Sequence, residues 1–253
     1  MKQKLIVGNW KMNGSLATNQ ALVQGVLAGL PGLNVHAAIC APAAYFASLQ
    51  ILLQGQTGLV CGAQDVSMHE TGAYTGEISA SMLLEFGVRY VIVGHSERRL
   101  YHGELDAQVA IKAQRALSAG ITPIVCVGET LAERQAGCTE EVVKRQLAAV
   151  IHTNGHCISE IVVAYEPVWA IGTGLTATPE QAQQVHHVLR QQLKAASPRA
   201  DRIALLYGGS MNAVNALDLL RQPDIDGGLI GGAALKVPDF LAIMATASQC
   251  AIA

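Results

Sequence analysis

The 253-residue chain is long enough for one large domain or two small ones. Apolar residues make up 51% and charged residues 14%, a large buried fraction under a thin polar coat, as expected where helices cover a sheet on all sides. A net charge of −2 excludes the strongly basic surface that nucleic acid or an anionic membrane would call for.

The basic N-terminus, Met1 to Asn9, carries an apolar run too short for a signal peptide. No run approaches the ~20 apolar residues of a membrane span. The expectation is a soluble, cytoplasmic protein. Cys40, Cys61, Cys126, Cys138, Cys157 and Cys250 are scattered without a C-x-x-C pair. Cys40, Cys61 and Cys126 sit inside strand-like runs and read as small core residues of a reducing compartment.

In chain order, short apolar runs fall at Leu5–Gly8, Val35–Cys40, Leu59–Ala63, Tyr90–Gly94, Ile121–Val127, Ile161–Tyr165, Ile203–Tyr207 and Gly228–Ile230, starting 24 to 42 residues apart. None alternates as a half-exposed strand does, so both faces should be buried. Helical patterns lie between them. Leu105, Val109, Ala113 and Ala116 share one face, as do Val142, Val143, Leu147 and Val150. The clearest helix opens at Thr178–Pro179–Glu180–Gln181, where Thr caps, Pro takes the first helical position and Gln closes a capping box. Ala182, Val185, Leu189, Leu193 and Ala196 follow on one face. Eight strand–helix units with no linker and no repeat predict an α/β fold, one (β/α)8 barrel over residues 1–253. A doubly wound sheet, with its typical ~6 strands, leaves two units over.

A barrel places its chemistry at the C-terminal strand ends, and unusual polar residues cluster there. Asn9 and Lys11 follow the first strand. Their shared alternation points an amide and an ammonium at one pocket, suited to an anionic, oxygen-rich ligand. His95 and Ser96 follow the fourth. Ser96 can cap a short helix, whose dipole and free amides would keep His95 neutral and able to shuttle protons between adjacent oxygens. Glu97 reads either as a first-turn helix residue or as a partner that orients Lys11.

Glu166 ends the sixth strand, and the apolar stretch Pro167–Val168–Trp169–Ala170–Ile171 follows it, then Gly172–Thr173–Gly174. A carboxylate with an apolar loop behind it reads as a base with a lid that would desolvate it on closing. Gly208–Gly209–Ser210 and Gly231–Gly232 end the seventh and eighth strands. Late barrel loops of this kind often build a phosphate site from backbone amides. Gly172 could add one more amide. No metal set is convincing: His152 and His156 are four apart with Cys157 adjacent, but Asn154–Gly155 breaks the helix between them. The neighbours His186 and His187 read as a solvated pair, and Cys126 as packing rather than a nucleophile.

These residues together carry a resemblance. Gly8–Asn9–Trp10–Lys11–Met12–Asn13, Thr71–Gly72–Ala73–Tyr74–Thr75–Gly76–Glu77, Gly94–His95–Ser96–Glu97–Arg98–Arg99 and Ala164 through Gly174 resemble, in order and spacing, the motifs of the triosephosphate isomerases, and the match runs end to end. The resemblance implies interconversion of dihydroxyacetone phosphate and D-glyceraldehyde 3-phosphate without a cofactor, in glycolysis and gluconeogenesis. It implies that Glu166 takes a carbon-bound proton and that neutral His95 polarises the carbonyl; the glutamate base, neutral histidine and closing loop of this enzyme are a standard worked case. It further implies that Lys11 and Asn9 stabilise the enediolate, and that Gly172, Ser210, Gly231 and Gly232 hold the phosphate. A homodimer follows too, with residues 68–76 reaching the partner and Thr75 supporting Asn9 or Lys11 across the interface. Two positions depart from the commonest pattern: Met211 stands where Val is frequent, and Ala234 where Ser is frequent. The missing hydroxyl at 234 removes a possible donor or cap near the phosphate, but backbone amides should carry the contact, so a modest effect on affinity at most is expected. The alternatives are another phosphate-binding barrel enzyme, which would not need Glu166 with a Trp lid, and a non-catalytic binder, which should have lost Glu166, His95 or Lys11.

Overall fold

Every apolar run forms a strand. A computed structural model describes residues 3–171 and 176–250. The strands are β1 (Lys4–Asn9), β2 (Val35–Ala41), β3 (Leu59–Ala63), β4 (Tyr90–Val93), β5 (Thr122–Val127), β6 (Val162–Tyr165), β7 (Ala204–Tyr207) and β8 (Gly227–Ile230). All pair in parallel in sequence order, and β8 returns to β1 with Leu5 opposite Gly227 and Gly8 opposite Ile230, closing the barrel. Closure leaves no strand edge unpaired.

Alternation divides each strand between two cores. Leu5, Val7, Ile92, Ile124, Cys126, Ala164, Leu206 and Leu229 fill the barrel interior. Their neighbours Ile6, Val91, Val125, Val163, Leu205 and Ile230 pack outward against the helices. Both faces are therefore buried, which is why the runs read as continuous apolar stretches.

The outer layer is α1 (Leu16–Gly29), α2 (Phe46–Leu53), α3 (Ala80–Glu85), α4 (Ser96–His102), α5 (Asp106–Ser118), α6 (Leu131–Gln135), α7 (Thr139–Asn154), α8 (Pro179–Ala196), α9 (Ala216–Leu220) and α10 (Val237–Cys250). The predicted start of α8 holds: Thr178 Oγ1 accepts from the Gln181 amide (3.2 Å) and Gln181 Oε1 from the Thr178 amide (3.1 Å). Loss of such a cap costs about 1 kcal/mol. Ala182, Val185, Leu189 and Leu193 are buried as expected, but Ala196 ends the helix exposed. Leu105 is also exposed, because it is the residue before α5 rather than part of its inner face.

His186 is not solvated. It sits on the inner stripe of α8, fully buried, with its ring edge-on to Tyr165 at 5.9 Å, while His187 is exposed. Burial pushes the His186 imidazole down to about 4. Among the described residues no helix is long and apolar enough to cross a membrane.

Candidate active site

The C-terminal strand ends surround a cavity of about 380 Å³. Asn9 at the end of β1 and Lys11 beyond it, His95 beyond β4, Glu166 beyond β6, Ser210 beyond β7, and Gly231 and Gly232 beyond β8 all line it. Residues far apart in sequence meet here because parallel strands deliver all their C-terminal ends to one mouth. A second cavity of about 370 Å³ adjoins it, sharing Asn9, Lys11 and His95 and adding Glu97.

Lys11 reaches the mouth by a different route from strand alternation. β1 stops at Asn9, and Lys11 adopts φ 51°, the left-handed region that non-glycine residues rarely occupy. Three bonds hold it there. Its amide donates to Asn9 Oδ1 (3.0 Å), its carbonyl accepts from Gln64 Nε2 (2.8 Å), and its Nζ donates to Glu97 Oε1 (2.6 Å). Gln64 also reaches the Cys40 carbonyl at 3.1 Å and Asn9 Oδ1 at 3.3 Å. It thus ties the Asn9–Lys11 turn to β2.

His95 caps α4 in place of the expected Ser96. Its Nδ1 accepts from the Glu97 amide at 3.2 Å, and Ser96 is the first helical residue. An acceptor Nδ1 leaves the ring proton on Nε2, which is the neutral tautomer. Nε2 lies 3.0 Å from Glu166 Oε1, and the Ser96 amide donates to Glu166 Oε2 at 2.8 Å. Glu166 is 2% exposed, so these two bonds satisfy a carboxylate taken out of water. Both readings of Glu97 hold at once: it is a first-turn residue whose amide sets the His95 tautomer, and its carboxylate holds Lys11.

Close backbone approach fixes Glu166. The Glu166 amide donates to the Val127 carbonyl (2.8 Å) and the Gly208 amide to the Tyr165 carbonyl (2.7 Å). A Cβ on Gly128 would lie 1.7 Å from the Glu166 carbonyl oxygen, and one on Gly208 would lie 2.9 Å from Glu166 Cγ. Gly208 therefore makes room for the base as well as belonging to the late glycine pair. Cys126 lies beneath. Burial, then the Glu166 charge, pushes its thiol far above the usual range, so it is no nucleophile.

The two late loops differ in detail from expectation. Ser210 and Gly232 present amides that have no hydrogen-bond acceptor among the described residues. Gly231 lies close to Lys11, since a Cβ there would sit 3.7 Å from Lys11 Cε. Ala233 lines the cavity, but Ala234 does not. Ala234 is fully buried, and its Cβ lies 2.9 Å from where a Cβ on Gly8 would be. A side chain at 234 therefore packs against β1, in keeping with a modest effect on phosphate affinity at most.

Behind Glu166, Val168–Ala170 make a single 3-10 turn, with Ala170 buried and Ile171 lining the cavity. Gly172, Thr173 and Gly174 lie outside the described residues. Glu129, just past β5, gathers this stretch. Its Oε1 accepts from Trp169 Nε1 (2.9 Å), Tyr165 Oη (3.2 Å) and Arg134 (3.1 Å), and its backbone carbonyl accepts from the Val168 amide (3.2 Å). Arg134 also stacks over the Trp169 ring at 4.4 Å. Burial beside Glu129 pushes the Tyr165 phenol up. Sequence reading missed Gln64, Gly128, Glu129 and Arg134. The signal for two of them was present, because Gly128–Glu129 follows a strand end as directly as Glu166 does. Thr75 is exposed on the loop between β3 and α3.

Fold and cavity define a (β/α)8-barrel enzyme. The sequence profile of the family described as "Triosephosphate isomerase" matches residues 4–247. Three curated relatives bear the same name. Those of Albidiferax ferrireducens and Paracidovorax citrulli are each 72% identical, over 98% of this chain and 100% and 99% of their own lengths. That of Delftia acidovorans is 70% identical over 98% of this chain and 100% of its own. The chain belongs to the triosephosphate isomerase family. These matches do not favour a different phosphate-binding barrel enzyme or a non-catalytic relative.

The packing of Gly208 on Glu166 generates a prediction. Gly208→Ala should displace the carboxylate and lower kcat about 10- to 100-fold, the scale of an ångström-level misplacement, with a smaller change in KM. Steady-state kinetics with unchanged kcat would contradict this packing role.

Proposed function

We propose that the protein interconverts dihydroxyacetone phosphate and D-glyceraldehyde 3-phosphate through an enediolate, as a glycolytic and gluconeogenic isomerase. The observation that carries the reading is the convergence of Glu166, His95 and Lys11 on one cavity that also holds the free amides of Ser210 and Gly232.

In this reading the phosphate sits against the late loops, with Ser210, Gly231, Gly232 and, from the lid, Gly172 as its holders. The three-carbon chain then lies between Glu166 and His95. One His95 Nε2 proton cannot serve both Glu166 and a substrate carbonyl, so substrate displaces the carboxylate from the ring. The released carboxylate takes the carbon-bound proton next to the carbonyl. His95 donates Nε2–H to the carbonyl oxygen and passes protons between the two oxygens. Lys11, held by Glu97, sets a fixed positive charge beside the developing oxyanion, and Asn9 adds an amide. Only protons move, so the reaction calls for no cofactor and no metal. Closing of Pro167 through Gly174 would exclude water from the intermediate.

The whole chain, 1–253, works as one domain in this reading, in the cytoplasm, as a homodimer. The second cavity supports the dimer. It opens beside Lys11, His95 and Glu97 and is rimmed by apolar groups, with Met12 95% and Tyr101 76% exposed. The exposed 68–76 loop of a second copy would fill it and bring Thr75 to Asn9 or Lys11.

An assay with D-glyceraldehyde 3-phosphate coupled to reduction of the ketone product should show turnover, blocked by a small phosphate-bearing enediolate mimic. Glu166→Asp, which withdraws the carboxylate by roughly an ångström, should cut kcat on the order of 100-fold. No turnover by the wild-type protein, or full activity in the variant, would refute the reading. Sedimentation should give a dimer; a fully active monomer would contradict the cross-subunit role of Thr75.

A further inference from the structure

The departure at position 211 has a partner in β8. Met211 follows Ser210 directly and is 4% exposed. Gly228 lies on the outer face of β8, on the same side as Ile230. A Cβ on Gly228 would lie 2.8 Å from Ile230 Cδ1, a terminal methyl that can turn aside, and 3.0 Å from Met211 Sδ and 3.2 Å from its Cε. The thioether therefore occupies the space that a side chain at 228 would claim. The β7 loop reaches sideways across the barrel rim and roots itself in the neighbouring strand. Asn215 braces the same arch from the other side: its Nδ2 donates to the Ser210 carbonyl (3.1 Å), and its Oδ1 accepts from the Asn212 amide (2.8 Å). Of residues 210–215, Met211 alone is buried.

We propose that Met211 and Gly228 are a matched steric pair that positions the Ser210 amide relative to the Gly231–Gly232 loop, and so sets the affinity of the site for a phosphate group. Met211 lines the edge of the cavity beside Ser210, and its role here is to position the Ser210 amide. Methionine suits this place because its unbranched, polarisable chain fills an irregular gap without strain. The pair joins the end of β7 to β8, the two strands whose loops must present amides to one anion. The inference rests on the phosphate-site reading above and deepens it.

The test is a double-variant cycle read by a 31P NMR titration with inorganic phosphate and by KM and kcat for D-glyceraldehyde 3-phosphate. Met211→Ala should weaken phosphate binding about 5- to 10-fold and raise KM by a similar factor, with a much smaller fall in kcat. Gly228→Ala should do likewise by crowding the sulfur. Combining Met211→Val with Gly228→Ala should restore both values to within about twofold, because the added methyl fills what the shorter side chain vacates. Met211→Leu should keep near-normal affinity and serves if Met211→Ala does not fold. A merely structural pair would lower Tm in the single variants and leave phosphate affinity and KM alone; that result overturns the proposal. So does a double variant whose losses multiply, or a wild-type protein that binds no phosphate. Phosphate binding without any triose phosphate turnover would count against the isomerase reading alone and leave this pair intact.

Discussion

The site depends on one buried carboxylate and the two groups that hold it. Glu166 stands at the end of β6, out of water, with one oxygen on His95 Nε2 and the other on the Ser96 amide. Hydrogen bonds to a charged group are worth about 1.5–3 kcal/mol each, and an unpaired buried charge would cost far more. The carboxylate is therefore parked, and the parking place is the start of α4, three residues beyond the end of the barrel strand that carries His95 into the mouth. The same short helix sets the histidine tautomer through the Glu97 amide and holds Lys11 through the Glu97 carboxylate. Three chemically different groups share one small piece of backbone as their reference.

Behind Glu166, a second carboxylate organises the apolar stretch that follows β6. Glu129 draws hydrogen bonds from Trp169, Tyr165 and Arg134 onto a single oxygen. Tyr165 immediately precedes Glu166, so the residue before the base and the tryptophan three positions after it answer to the same anchor. Any closing motion of the stretch from Pro167 onward has to rearrange these bonds. Glu166 and the apolar stretch behind it are then tied together at their root.

Much of this was legible in the sequence. Eight runs with both faces apolar gave the barrel, because alternation disappears only when helices and interior core bury both sides. Polar residues at strand ends gave Asn9, Lys11, His95, Glu166, Ser210 and the late glycines, because the topology sends every such end to one mouth. What stayed hidden was tertiary. Lys11 reaches the cavity through a left-handed turn that no alternation rule foresees, braced by Gln64 just past β3. His186 looked like half of a surface pair, but helical phase put it in the core. The packing of Ala234 against β1, away from the cavity that Ala233 lines, was equally invisible. Gly128 and Gly208 matter for the side chains they leave out, a constraint visible only once the Glu166 backbone is in place.

The central claim is that Glu166 acts as a base on carbon. Proton abstraction by an exchangeable carboxylate differs from internal hydride transfer in one observable, the origin of the hydrogen on the product carbon. The direct measurement is 1H NMR of the triose phosphates formed from D-glyceraldehyde 3-phosphate in D2O by the wild-type protein. The account predicts deuterium on the carbon next to the carbonyl in a measurable fraction of the product. Product that carries no deuterium at that carbon would contradict it.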